Sequence, residues 1–165
     1  MTAQSELVFF CGKMGAGKST LAKRMATEMN ALLLSEDEWL AALYLDEIHG
    51  LDDYIRCSRR LKSVLGAHVR GLLKAGVPVV MDFPANTVTQ RQWFREIFEP
   101  NCIPHRLIYL HVDDATCLQR IAARASSQPE RARFDTAAVF REVTRHFQPP
   151  TDAEGFNIQP VPSGE

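Results

Sequence analysis
The sequence predicts an α/β protein of three layers, a parallel sheet with helices on both faces. Apolar runs of four to seven residues alternate with stretches whose apolar residues recur at helical spacing. Each run is almost wholly apolar rather than alternating with polar residues, as strands buried on both faces require. A glycine-rich turn joins the first run to the first helical stretch. In such a sheet, ligands collect at the carboxyl ends of the strands.

The elements follow in order. Leu7–Cys11 is a buried strand closed by Gly12, and Gly17–Asn30 is helical through Leu21, Ala22, Met25, Ala26 and Met29. Ala31–Ser35 (ALLLS) is a second strand. Glu36–Leu45 is a helix with acids in its first turn, where the helix dipole favours them. Asp52–Ala75 is a long helix capped by Gly76. Val77–Met81 is the third strand, ending at Asp82; a helix over Val88–Phe98 stops before Pro100. Arg106–Val112 is the fourth strand, with His111 expected as a packed neutral imidazole inside it. A helix runs from Asp114 to about Ala125, followed by a polar, basic loop or lid at about 126–134. Thr136–Phe147 is helical, Pro149 and Pro150 break the chain, and Phe156–Val161 is an edge strand. The tail from about residue 160 is expected to be flexible.

Length and composition narrow the function. The 165 residues are expected to form one domain, with 45% hydrophobic and 24% charged residues. A net charge of −1 argues against a duplex-binding surface. The 4 cysteines (Cys11, Cys57, Cys102, Cys117) form no CxxC pair, and the 5 histidines show no metal spacing. The cysteines read as reduced, mostly packed thiols of a cytoplasmic protein. The start MTAQSELVFF lacks a basic, then apolar, leader pattern, and no run reaches the ~18 apolar residues of a membrane span.

The stretch Gly12-Lys13-Met14-Gly15-Ala16-Gly17-Lys18-Ser19 fits G-x-x-x-x-G-K-[ST] in full. Its glycines let successive backbone N–H groups turn inward as an anion nest, and the next helix adds its positive end. Lys18 then reaches the β- and γ-phosphates and the Ser19 hydroxyl ligates Mg²⁺, with Thr20 completing the segment. The reading is a nucleoside triphosphate site. The loop alone does not say where the phosphoryl group goes.

The strand ends carry the remaining candidates. Asp37, two residues past the second strand, suits a general base for an acceptor hydroxyl; Glu36 and Glu38 are alternatives. Asp82 suits an Mg²⁺-linked carboxylate, and the two acids could exchange roles. Arg120 and Arg124 lie four apart on one helical face, with Arg131 and Arg133 in the lid. Mobile guanidinium groups there would neutralise charge on the γ-phosphate as the lid excludes water. Asn86, Thr87 and Arg91 follow Asp82 at a possible acceptor site, Arg91 being equally readable as a solvated helix residue. Trp93 reads as core or rim, and Trp39 as core, rim or pocket wall.

Strand–GKMGAGKST–helix, LLLSEDEW, VVMDFPANT and LQRIAAR before a lid resemble the small P-loop kinases. The likeness is to the polynucleotide 5′-hydroxyl kinase, zeta toxin and chloramphenicol phosphotransferase group, whose members also go by AAA-family ATP-binding proteins. It covers about residues 5 to 160, and only the P-loop is highly specific. The resemblance implies a five-stranded parallel sheet with the P-loop strand central, and ATP as the nucleotide. It puts the base on Asp37, a second strand-end acid on Asp82 with Asn86 and Thr87, and the lid-helix arginines on Arg120 and Arg124. It also implies that the segment near EGFNIQP helps cover the nucleotide base.

Two departures bear on the acceptor. Phe83-Pro84-Ala85 lengthens what is a tighter Asp-x-Thr-Asn in the nucleic-acid kinases, and Leu40 stands where those kinases tend to carry an arginine. The expectation is an ATP-dependent, Mg²⁺-requiring kinase acting on a hydroxyl of a small molecule. Alternatives are a P-loop ATPase or switch working through a protein partner, and a nucleic-acid 5′-hydroxyl kinase. Nucleic acid and membrane are not expected partners.

Overall fold
The computed structural model of the chain describes residues 4–161. Leu7–Cys11 (β1), Leu32–Ser35 (β2), Val79–Pro84 (β3), His105–Leu110 (β4) and Ile158–Val161 (β5) form one parallel sheet in the order β2-β3-β1-β4-β5. Among the described residues six α-helices cover it: Lys18–Met29 (α1), Glu36–Leu43 (α2), Leu51–Lys74 (α3), Val88–Phe98 (α4), Asp114–Ser127 (α5) and Ala137–Thr144 (α6).

β1 is central, and alternate residues of it feed two cores. Leu7, Phe9 and Cys11 join Leu61, Leu65, Phe94 and Ile97 of α3 and α4; Val8 and Phe10 join Ala22, Ala26, Ile121 and Phe140 of α1, α5 and α6. All five β1 residues are therefore buried, which is why the segment shows no polar alternation. Each large side chain so removed from water contributes about 1.5–3 kcal/mol. Phe9 stacks on Phe94 at 4.3 Å between centroids, and Trp93, partly buried, packs on Phe83 and Phe94 at the rim of that core.

Local signals act where the sequence puts them. Gly76 (φ 87°) ends α3 in a Schellman motif, its N–H and that of Val77 returning to Leu73 and Leu72 at 3.0 Å each. Thr87 caps α4 by accepting from the Gln90 N–H at 3.1 Å. Pro160 is tolerated because β5 lies at the sheet edge.

Three local expectations are corrected. β3 continues past Met81 through Asp82, Phe83 and Pro84. It does so because β2 still pairs with it at Ser35 and Asp82, while the register to β1 slips from Met81 to Pro84 between Phe9 and Phe10. β4 ends at Leu110, so His111 lies beyond the strand, exposed, with its ring parallel to Tyr109 at 5.7 Å. Arg91 is neither solvated nor at the mouth: it is fully buried, giving its Nε–H to Glu154 at 2.8 Å and its Nη1–H to the Ala85 carbonyl at 2.9 Å. Of the expected flexible tail, Pro160 and Val161 close β5, and 162–165 lie outside the described residues. Among the described residues no helix is long and apolar enough to cross a membrane.

Candidate functional site
The site is built where β1, β2 and β3 end together. Gly12 follows β1, and its N–H donates to Asn86 Oδ1 at 2.9 Å, tying the start of the loop to the end of β3. Asn86 is itself held, its N–H donating to Gln90 Oε1 at 2.8 Å and its carbonyl accepting from the Gln148 N–H at 2.8 Å. The residue that the sequence suggested for the acceptor thus braces the loop, and Thr87 caps α4.

Two glycines of the loop adopt left-handed backbone, Gly15 at φ 80° and Gly17 at φ 99°. A Cβ on Gly15 would stand 2.7 Å from the Cys117 carbonyl oxygen, so the loop lies directly on α5. Lys18 opens α1 and folds back over the loop, donating to the Gly12 carbonyl and, at 3.2 Å, to the Lys13 carbonyl. Burial lowers the Lys18 pKa, against the opposing pull of the Asp82 charge. Lys13 turns outward, paired with Asp114 at 2.6 Å, with its ammonium 5.6 Å from the Phe147 ring centre. Ala16 is buried, and Met14 packs against the α1/α5 core.

Asp82 sits within β3 beside the loop. Burial raises its pKa; the Ser19 hydroxyl, donating to the carboxylate, acts the other way, and the nearby Asp37 charge raises it again. Lys18 and Ser19 of α1, Asp37 of α2 and Asp82 of β3 therefore gather at one place, drawn from three separate elements. The hydroxyl and carboxylate are hard oxygen donors that suit Mg²⁺, which takes one or two protein oxygens and completes its shell with phosphates and water. Among the described residues no group of three or more His, Cys, Asp or Glu could hold a metal unaided. The residues fit a nucleotide-borne ion.

Asp37 stands in the first turn of α2 and is open, its side chain 62% exposed, with Arg131 Nη2 at 3.9 Å. Glu36, read as its equivalent, behaves differently. It is 2% exposed and accepts from the Tyr54 hydroxyl and from Ser58 Oγ, the latter at 2.7 Å, locking α2 to α3. Burial raises its pKa against those two donors. Lys62 is close enough for its charge to favour the Glu36 carboxylate.

The arginines divide. Arg120 crosses to the loop and donates to the Ala16 carbonyl at 3.0 Å. Arg124 is held bidentate by Asp135, both bonds 2.8 Å, and Arg131 gives its Nε–H to the same carboxylate at 3.0 Å. Arg133 stacks on Phe134, its guanidinium 4.6 Å from the ring centre. Of the EGFNIQP segment, Phe156 is a core ring against Phe9 and Phe98, with Arg95 over its face at 4.2 Å. Trp39 is 37% exposed on α2. Sequence reasoning missed Asp135, Tyr54, Ser58 and Glu154. Only the Arg131–Asp135 spacing of four could have suggested one of them; the other pairings cross 11 to 63 residues.

A glycine-rich loop on the central strand of a parallel 2-3-1-4-5 sheet, with an inward lysine and two strand-end carboxylates, defines a P-loop nucleotide-binding protein of the small-kinase fold. The chain belongs to the AAA domain family, whose profile matches residues 7–150. A Chloroflexus aurantiacus protein provisionally assigned as a kinase shares the fold at 20% identity and TM-score 0.71, covering 98% of this chain and 86% of that one. The APS kinase CysC of Mycobacterium tuberculosis, solved with AMPPNP and APS, does so at 18% identity and TM-score 0.64, over 98% of this chain and 90% of that one. A Sinorhizobium meliloti 1021 gluconokinase is similar at 15% identity and TM-score 0.65, over 100% and 86%. No curated protein matches the sequence.

Proposed function
We propose that this protein is an ATP-dependent, Mg²⁺-requiring kinase that transfers the γ-phosphate to a hydroxyl of a small molecule. The observation that carries the reading is the meeting of Asp37 and Asp82 with Lys18 and Ser19 at one sheet edge. One acid is partly buried on the Ser19 hydroxyl and the other is open toward solvent. That asymmetry supports Asp82 as the metal-side carboxylate and Asp37 as the acceptor-side base. The kinases that share the fold add support for phosphoryl transfer.

The loop amides and Lys18 would bind the triphosphate, with Lys18 leaving the Gly12 and Lys13 carbonyls to do so. Ser19 and Asp82 would hold Mg²⁺, which when bound supplies charge neutralisation at the β- and γ-phosphates. Asp37 would orient the acceptor hydroxyl and take its proton. Arg120, already across the loop, and Arg124 with Arg131 in the lid would offset charge on the transferred group. Most of the acceleration would come from positioning, because the transition state is loose.

The test is ADP release from Mg-ATP, alone and with a panel of sugars, nucleosides, nucleotide sugars, aminoglycosides and phenicols. A compound that accelerates release and gains a phosphate supports the reading. Slow hydrolysis unmoved by every class, with ATP bound, counts against it.

A further inference from the structure
Two positive side chains share one carboxylate in the lid, and that carboxylate is almost wholly out of water. Asp135 is 4% exposed and lies immediately before the Thr136 cap of α6. It takes the Nε–H and an Nη2–H of Arg124 on its two oxygens, and the Nε–H of Arg131 on one of them. Both guanidinium groups keep their charge, so the cluster carries two positive charges against one negative. Asp135 orders the arginines without cancelling them. It grips each through Nε, which fixes the plane of the fork; Arg124 gives its Nη2 to the anchor as well, whereas Arg131 gives only Nε. The Nη2 of Arg131, not taken up by Asp135, comes 3.9 Å from Asp37 Oδ2.

Resting on the phosphotransfer reading above, we propose that Asp135 is a positioning residue that aims Arg131 at the acceptor side of the site, beside Asp37. Arg120 then serves the loop side, where it touches the Ala16 carbonyl, and Arg131 the acceptor side. Arg131 acts as the lid's contact to the group in transit between them. A purely structural Asp135 would need only to cap and tether the turn. The backbone already makes that turn, through Asp135 N–H to the Arg131 carbonyl at 2.8 Å and Phe134 N–H to the same carbonyl at 2.9 Å. The second guanidinium, turned toward Asp37, is surplus to that task.

The geometry distinguishes charge from shape. Lysine at position 131 keeps the charge but lacks the fork, so it cannot hold Asp135 and face Asp37 together. The experiment compares wild type, Arg131→Lys and Asp135→Asn by ATP affinity in calorimetry, Mg-ATP turnover with the acceptor found in the panel or with water as acceptor, and melting temperature. Both variants are expected to lose about tenfold or more in turnover, with ATP affinity within about threefold of wild type because the loop is untouched. Wild-type turnover by Arg131→Lys overturns the proposal. So does a fall in Asp135→Asn that is matched by an equal loss of ATP affinity or reversed by lowering the assay temperature, since either marks a fold defect. Hydrogen exchange over residues 128–136 in the nucleotide-free protein is read in parallel. If Asp135→Asn leaves it unchanged, the anchor itself is absent and the proposal fails. If exchange rises in Asp135→Asn but wild type turns over no ATP with any acceptor, the phosphotransfer reading falls and takes this role with it.

Discussion

The loop glycines offer a test in which the structure sets the order of two similar substitutions. Gly15 and Gly17 both hold positive φ, so alanine at either one incurs about 1–2 kcal/mol of left-handed strain. Their surroundings differ. At Gly15 the new methyl would lie 2.7 Å from the Cys117 carbonyl oxygen and 2.9 Å from Ile121 Cγ1, so α5 or the loop must move. At Gly17 it would meet only Arg120 Nη1, at 3.5 Å. Overpacking against backbone adds about 1–3 kcal/mol. Gly15→Ala is thus expected to cost about 2–5 kcal/mol and Gly17→Ala about 1–2. For a chain of 165 residues these correspond to melting shifts of about 4–20 °C and about 2–8 °C. Because α5 carries Arg120, Gly15→Ala should also weaken ATP binding. The assay is thermal unfolding of the nucleotide-free variants, followed by nucleotide titration. A Gly15→Ala variant as stable as wild type, or a Gly17→Ala variant less stable than Gly15→Ala, would refute the reasoning.

Lys18→Ala should abolish nucleotide turnover while the protein still unfolds cooperatively; surviving turnover would remove the P-loop assignment. Asp37→Asn should abolish transfer with ATP affinity kept in calorimetry, and transfer at near wild-type rate would place the base elsewhere. Glu154→Gln strips the charge partner from fully buried Arg91, at a cost of about 3 kcal/mol read in denaturant, whereas Glu154→Leu with Arg91→Met should recover much of it; equal loss in both would deny the pair its role. For Glu36 the folded pKa lies above the unfolded one through burial, so the carboxyl adds stability when protonated and loses it as pH rises through the folded value. Glu36→Gln should therefore gain stability relative to wild type as pH climbs from about 4.5 toward neutrality, with the difference closing in acid; melting curves that stay parallel across that range would contradict this.

The sequence by itself determined the layered α/β fold, the strand that carries the phosphate loop and the side of the sheet where chemistry gathers. Those properties are local. Burial on both faces writes itself into a run such as LVFFC, and a loop that wraps phosphate with its own amides needs its glycines and lysine at fixed near spacings. Capping by Gly76 was legible for the same reason, whereas Thr87, read for the acceptor, caps α4 instead. What only the tertiary structure decided is which of several like residues occupies each environment. Glu36 and Asp37 are neighbours in chain and chemistry, yet one is sealed under Tyr54 and Ser58 and the other is open beside Arg131. Arg91, Arg120, Arg124 and Arg131 separate into a core ion pair, a loop contact and a shared lid carboxylate through partners up to 104 residues away. An ionised side chain is defined by what lies within a few ångströms of it, and at such separations no sequence period encodes that.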